Sequence, residues 1–383
     1  MSASTVYLDH NATTALDPRV LEGMLPYLQQ PQGNPTSRHS FGRHARQAVE
    51  YAREQVAAAI GAHPTQVVFT SGGTEADNLA IQGIAAAHTP SGIAVSAIEH
   101  PAVYRPAQYL MGRGWKIARI RVSEDGHIGL DSLNEVLQQK TALVSVMAAN
   151  NETGVIQDIP AIAELCRQHG ALLHTDAVQA LGKISLDFNA LGVNAMSLSA
   201  HKIHGPQGAG ALVLDKRVDI KPLLYGGGQE KGLRSGTENI AAIVGFGLAC
   251  EFAQRELHDR STKIESLRNR LETGLQRLGA TIFGGESARL PNTSFFAFAN
   301  IEGETLVVAM DKNGYAIASG SACSSDSTEP SHVLLAMGVD PEFARGAVRV
   351  SLGADNSPEQ IDGFLLALEN ELLRLKRMAA LAV

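Results

Sequence analysis

The sequence is poor in cysteine, with three, and in aromatic residues, at 5% with a single tryptophan, and it has no surplus of positive charge. Three is an odd count in 383 residues, so Cys166, Cys250 and Cys323 do not suggest a disulfide framework and each thiol needs its own explanation. With 32 lysines and arginines against 39 aspartates and glutamates the net charge is -7. That removes the cationic surface by which nucleic-acid binders neutralise phosphates. The longest apolar run, Ile240 to Cys250, is closed by Glu251 and falls well short of the ~20 residues a membrane span needs. The first residues, Met1 to Asp9, carry no basic segment ahead of an apolar one and do not read as a secretory signal. These absences predict a cytoplasmic protein acting on a small molecule, with no membrane and no direct nucleic-acid partner.

The composition suits a large folded core, with 44% hydrophobic and 19% charged residues. From Gly42 to Ile60 the apolar positions fall at helical spacing, and Gly61 follows as a C-terminal cap. After it, β-rich runs alternate with helical patterns: Val67 to Thr70, Ile93 to Ile98, Trp115 to Val122, Leu143 to Ala149, Leu172 to Asp176, Met196 to Ser199 and Ala211 to Leu214. Such alternation predicts an α/β fold with a mostly parallel, doubly wound sheet, and ligands bind such sheets at the carboxyl ends of the strands. Asn239 to Leu278 reads as one or two long helices, with a domain boundary inside. Beyond it, strands at Thr293 to Phe298, Tyr315 to Ser319 and Val348 to Leu352 and a helix from Pro358 to Met378 predict a second, smaller α/β domain. The expected division is 15–255 for the large domain, with 1–14 and 256–383 forming the small one.

Three strand ends carry chemistry. Val67-Val-Phe-Thr-Ser71-Gly72-Gly73-Thr74 is a strand, a tight glycine turn and a helix start, where free N–H groups and the Thr74 hydroxyl suit a phosphate; the same turn could serve as a simple cap. Ala171-Leu-Leu-His-Thr-Asp176 ends an apolar strand in a carboxylate, which could be a site residue or a helix cap. Met196-Ser-Leu-Ser199-Ala-His201-Lys202 runs an apolar strand into a lysine, a setting that desolvates an amine. An anion site, a carboxylate for a pyridinium nitrogen and a lysine for a Schiff base are together what pyridoxal 5'-phosphate demands. The turn lacks the G-x-G-x-x-G of a dinucleotide site and is followed by no Walker lysine. His201 and His204 stand at ligand spacing but no further ligands cluster near them, so no metal is expected.

The segments Tyr7-Leu-Asp-His-Asn-Ala-Thr-Thr14, Gly33-Asn-Pro35, Thr70-Ser-Gly-Gly-Thr-Glu75, Glu99-His100, Asn150-Asn-Glu-Thr-Gly154, His174-Thr-Asp-Ala-Val-Gln179, Ser199-Ala-His-Lys202, Arg234-Ser-Gly-Thr-Glu238 and Ser319-Gly-Ser-Ala-Cys323 occur in order over nearly the whole chain. In them the chain resembles the cysteine desulfurases of the class V aminotransferase group, closest to the nitrogenase-associated and iron–sulfur assembly types. The resemblance implies a fold-type I pyridoxal-phosphate enzyme and a homodimer that converts L-cysteine to L-alanine and passes sulfur to an acceptor protein. It implies that Lys202 is the Schiff-base lysine, that Asp176 pairs with the pyridine nitrogen, that Gln179 bonds the phenolic oxygen and that His100 stacks on the ring. Gly73, Thr74, Ser199 and His201 would hold the phosphate, joined by Thr237 of the other subunit. Asn151 and Arg349 would meet the substrate carboxylate, Arg349 through its planar fork. A selenocysteine lyase or another β-eliminating enzyme is the rival that keeps the same cofactor residues.

The residues around Cys323, Ser319-Gly-Ser-Ala-Cys-Ser-Ser-Asp326-Ser-Thr-Glu-Pro330, are too small and polar to pack a core, which predicts an accessible thiol for the persulfide. Cys166 and Cys250 lie on apolar helical faces and read as buried. Two positions depart from the resemblance: Asp326, close enough to Cys323 to disfavour its thiolate, and Ala354, where arginine is usual.

Overall fold

A computed structural model describes residues 5–30, 33–320 and 329–381. Seven strands make the main sheet: β1 Val67–Thr70, β2 Gly92–Ser96, β3 Lys116–Ile120, β4 Thr141–Ser145, β5 Leu172–Asp176, β6 Ala195–Ser199 and β7 Gly210–Leu214. Their spatial order is β1-β7-β6-β5-β4-β2-β3. β6 to β3 run parallel, whereas β7 is antiparallel to both its neighbours. Successive residues of a strand feed opposite cores. Val67 and Phe69 of β1, with Ala211 and Val213 of β7, join one cluster; Val68, Leu212 and Leu214 join another on the opposite face. A sheet covered on both faces explains why these strands are continuous apolar runs.

The helix expected near Gly42 to Ile60 spans Ser40–Ala59 and ends at Gly61, whose φ of +62° is the left-handed conformation that favours glycine. The long helical stretch divides at Glu256 into Ile240–Arg255 and Leu257–Arg277. The first is buried on most sides in the main core, against the helices Pro18–Gln29 and Ser40–Ala59; the second packs Leu267, Leu271 and Leu275 into a separate cluster with Phe296, Val348, Val350, Phe364 and Leu368. That cluster lies on an antiparallel sheet, strands β8 Thr281–Ile282, β9 Thr293–Ala297, β10 Ala318–Ser319 and β11 Val348–Ser351, in the order β10-β11-β9-β8. The run expected as one strand from Tyr315 to Ser319 is broken at Ile317. Tyr315–Ala316 pairs instead with Val6–Tyr7, which ties the N-terminal segment to this second core.

Candidate active site

The carboxyl ends of the parallel strands supply most of the candidate residues. β1 runs into the Ser71–Thr74 turn, β2 into Glu99 and His100, β4 towards Asn150 and Asn151, β5 into Asp176, and β6 into Ser199 and a 3-10 turn carrying Lys202. Antiparallel β7 begins at this same edge, with Gly210 opposite Thr70 and Ser199. A Cβ on Gly210 would lie 2.6 Å from the Gly72 backbone and 2.7 Å from the Leu198 carbonyl oxygen, so only glycine lets the turn lie so close to the sheet. The result is a cavity of about 670 Å³. Gly73, Thr74, His100, Asn151, Asp176, Gln179, Ser199, His201, Lys202 and Arg349 all line it. Thr237 is exposed and outside the lining, and Cys323 lies outside the described residues.

Lys202 Nζ donates to the carbonyl oxygens of Asn11 and Ala12, at 2.5 and 2.6 Å. Asp176 is 6% exposed, and its Oδ1 accepts from the Val178 N–H at 2.9 Å. Burial raises its pKa to about 6, against the opposing pull of that N–H and of Lys202. A second buried carboxylate, Asp77, lies on the same wall, its pKa pushed well up by burial and by the charge of Asp176. Behind them His174 sits between Ser145 Oγ at 2.8 Å and Ser197 Oγ at 2.9 Å, and burial drops its pKa to about 3, so it is neutral.

His100 caps the helix Pro101–Met111: its Nδ1 accepts from the Ala102 N–H at 3.1 Å. An accepting Nδ1 puts the proton of the neutral ring on Nε2, and burial, with Lys202 and His332 nearby, lowers the pKa to about 4. Any proton His100 exchanges while the cap is kept therefore passes through Nε2. Ser199 Oγ is buried with no partner, a donor aimed at nothing the protein supplies. Glu75 accepts from the Ser71 N–H at 2.7 Å and from Arg234 Nε at 2.8 Å, which ties the Ser71–Thr74 turn to the loop that leads to Thr237.

Arg349 differs from the expected open fork. Its Nη1 donates to the Asn151 carbonyl at 3.0 Å and its Nη2 to Asp9 Oδ1 at 2.6 Å, leaving Nε as the buried atom without a partner. A carboxylate arriving here meets the unpartnered Nε–H, with one N–H of each terminal nitrogen already engaged. Asp9, Asn11, Asp77 and Lys183 are residues of this region to which the sequence gave no separate role. Asp9 and Asn11 stand in the Tyr7 to Thr14 motif, which was the available signal. Lysine is a residue type that is mostly exposed, and no motif marks Lys183.

Cys166 and Cys250 are buried, as their apolar helical faces predict, and burial pushes the Cys166 thiol up to about 12 and Cys250 higher still, so neither is a nucleophile at neutral pH. His201 and His204 diverge, the first meeting Thr13 Oγ1 and the second the Ala15 carbonyl oxygen. Among the described residues no helix is long and apolar enough to cross a membrane.

Comparison with known proteins bears on the same residues. The aminotransferase class-V family model matches residues 6–364. The chain belongs to the class-V aminotransferase family. Among its relatives, a protein named cysteine desulfurase IscS from Clostridium botulinum is 44% identical over 382 residues, 98% of this chain and 96% of that one. A solved structure named NifS-like protein superimposes with a TM-score of 0.91 at 40% identity, covering 96% of this chain and 99% of the other. SspA in complex with cysteine gives 0.83 at 32% identity over 92% of this chain and all of the other, at 100%. The α/β architecture with a mostly parallel sheet is therefore the one these family members share, a fold-type I arrangement.

Proposed function

We propose that the chain is a cysteine desulfurase that takes L-cysteine, releases L-alanine and holds the sulfur as a persulfide on Cys323 until an acceptor protein's thiol removes it. The observation that carries this reading is the single cavity on which Lys202, Asp176, Gln179, His100, Asn151 and Arg349 all open. Family membership supports it, since the Clostridium botulinum relative is named cysteine desulfurase IscS and one related structure, SspA, holds cysteine.

The residues fit pyridoxal 5'-phosphate. Lys202 would carry it, the buried Asp176 carboxylate would face its ring nitrogen, and Gln179 its phenolic oxygen. The orphaned Ser199 Oγ, with Gly73, Thr74 and His201, would hold the phosphate. Bound there, the cofactor supplies an electron sink for the pair released when the Cα proton of cysteine leaves. Lys202 Nζ and His100 Nε2 carry protons at the cavity wall, and the Arg349 Nε–H with Asn151 orients the substrate carboxylate. The Cys323 thiolate attacks the substrate sulfur: an S–S bond forms, the Cβ–S bond breaks, and the electron pair left on the carbon skeleton takes up a proton to give alanine.

The site reads as half of a pair. Thr237 is exposed beyond the cavity of its own chain, on a loop where Tyr225 is 80% and Leu224 45% exposed, which suits a homodimer in which the partner subunit's Thr237 reaches this phosphate site. The two cores support a large domain of residues 15–255 and a small one of 1–14 and 256–383. The reading also places the protein in the cytoplasm, in iron–sulfur cluster assembly or a related sulfur-transfer route. Product analysis tests the central step. Alanine in equal measure to cysteine consumed is the expected outcome, whereas pyruvate and ammonia would replace desulfuration with elimination.

A further inference from the structure

Lys183 lies beside the cavity wall, half-buried, and is not among the residues that line the cavity. Its Nζ donates to Gln179 Oε1 at 2.7 Å and to Asn11 Oδ1 at 2.9 Å. The other end of the Gln179 amide, Nε2, donates to the Asn11 carbonyl oxygen at 3.0 Å. A carbonyl oxygen accepts only, so Nε2 is the end that faces Asn11, and Oε1 is the end that faces Lys183. The assignment holds whether Lys183 is an ammonium or an amine, because either form has two N–H groups for its two acceptors. Asn11 is fixed in turn: it is 1% exposed, Nδ2 donates to Thr293 Oγ1 at 2.8 Å and to the Asn151 carbonyl at 3.2 Å, and Oδ1 accepts from Asn292 Nδ2 at 2.9 Å. Lys183 thus bridges an immobile acceptor and the one cavity residue whose orientation it can set.

We infer that Lys183 is a positioning residue that acts through Gln179, holding Oε1 away from the cavity so that the second Nε2 hydrogen is presented to the cofactor's phenolic oxygen. This rests on the pyridoxal-phosphate reading of the preceding section. Without Lys183 only the Asn11 carbonyl holds this orientation, and an amide that turned would set Oε1 against the phenolate, which it repels. The lysine adds a second effect of the same sign. Any positive charge it keeps favours an anionic phenolic oxygen, although Lys202 and Arg349, both cationic, act against that charge and His10 also lies within its field. Burial holds its pKa well below the usual lysine range, so a positive charge there is costly and the N–H geometry is the firmer of the two effects.

The test is the pH titration of the visible absorption of protein loaded with pyridoxal phosphate, in wild type, Lys183→Met, Gln179→Leu and the double variant. A donor to the phenolic oxygen stabilises its anionic form and lowers the pH at which the lysine-linked nitrogen loses its proton. Lys183→Met should therefore move the midpoint upward, by about half a unit or more on the scale of a lost hydrogen bond or charge. In the double variant Lys183→Met should add little to Gln179→Leu, because both remove one pathway. An unmoved midpoint in Lys183→Met with cofactor bound, or fully additive shifts in the double variant, overturns the role. Should Lys183→Met not fold, an unmoved midpoint in Gln179→Leu overturns it equally. A wild type with no visible band after incubation with pyridoxal phosphate defeats the cofactor reading itself, and the role of Lys183 with it.

Discussion

Arg53 and Glu230 meet in a buried bidentate ion pair, Nη1 to Oε2 and Nη2 to Oε1 both at 2.8 Å. The same Oε2 accepts from the Phe69 N–H at 2.8 Å, and the Arg53 guanidinium stacks 4.8 Å from the Phe69 ring centre. Glu230 and Lys231 have φ of +48° and +61°, an uncommon conformation for residues with side chains. This pair is the fixed point from which the loop continues to Arg234 and Thr237.

Glu230→Ala leaves the Arg53 charge and the Phe69 N–H buried, with only the exposed Glu50 and the Val67 carbonyl as compensation for Arg53. Loss of about 3–5 kcal/mol is expected from breaking such a pair. Urea unfolding measures it, and the Arg53→Met/Glu230→Met pair should cost far less than the sum of the single changes. A loss below about 1 kcal/mol, the range of an exposed pair, would show that the pair is not buried as described.

Gly210→Ala places a methyl group against backbone on two sides, Gly72 and Leu198, neither of which can swing away as a side chain would. Overpacking of about 1–3 kcal/mol is expected. Because the yielding side is the Ser71–Thr74 turn, pyridoxal-phosphate affinity should fall as well. Equilibrium dialysis showing wild-type affinity in a destabilised variant would separate the turn from the cofactor.

Stability should depend on pH with a sign set by buried groups. His174 and His10 have folded pKa values near 3 and 4, lowered by burial from 6.5. Below pH 6.5 the unfolded chain binds their protons and the folded one does not. Stability therefore falls with acidification, by about 1.4 kcal/mol per pH unit for each histidine, until the folded pKa is reached. Glu99 acts in the opposite sense: burial raises its folded pKa to about 8 from 4.5, so its contribution is complete below 4.5 and is lost as pH rises towards 8. Between pH 6.5 and 8 the histidines are silent, and Glu99→Gln should flatten the decline measured by urea unfolding there. An unchanged slope in that window would exclude Glu99 as its source.

Much of this was legible because parallel strands buried on both faces write themselves as apolar runs, and because their ends carry the chemistry. Val67–Thr70 and Leu172–Asp176 are the strands the sequence predicts, residue for residue. The direction of β7 is not written in its side chains, since a run buried on both faces looks the same either way. The clue lay in its connection: the segment from Ala200 to Ala209 is shorter than the dozen or more residues a parallel crossover needs. Charged residues drawn into the fold were the other loss. Lys183 and Asp77 belong to residue types that are usually exposed, and only the fold reveals that Lys183 meets Gln179 and Asn11 and that Asp77 is buried near Asp176. The occupied fork of Arg349 escaped for a similar reason, because Asp9 reaches it from 340 residues away in sequence.

The account turns on which thiol receives the sulfur. Cys166 and Cys250 are buried with raised pKa values, and the proposal assigns the sulfur to Cys323. Mass spectrometry of protein loaded with pyridoxal phosphate, quenched after a brief pulse of L-cysteine, should find one added sulfur on the peptide containing Cys323 and none on those with Cys166 or Cys250. In Cys323→Ala the cofactor should still bind, and both the added sulfur and alanine formation should disappear. Alanine formed at near the wild-type rate by Cys323→Ala, or sulfur found on either buried cysteine, would contradict the account.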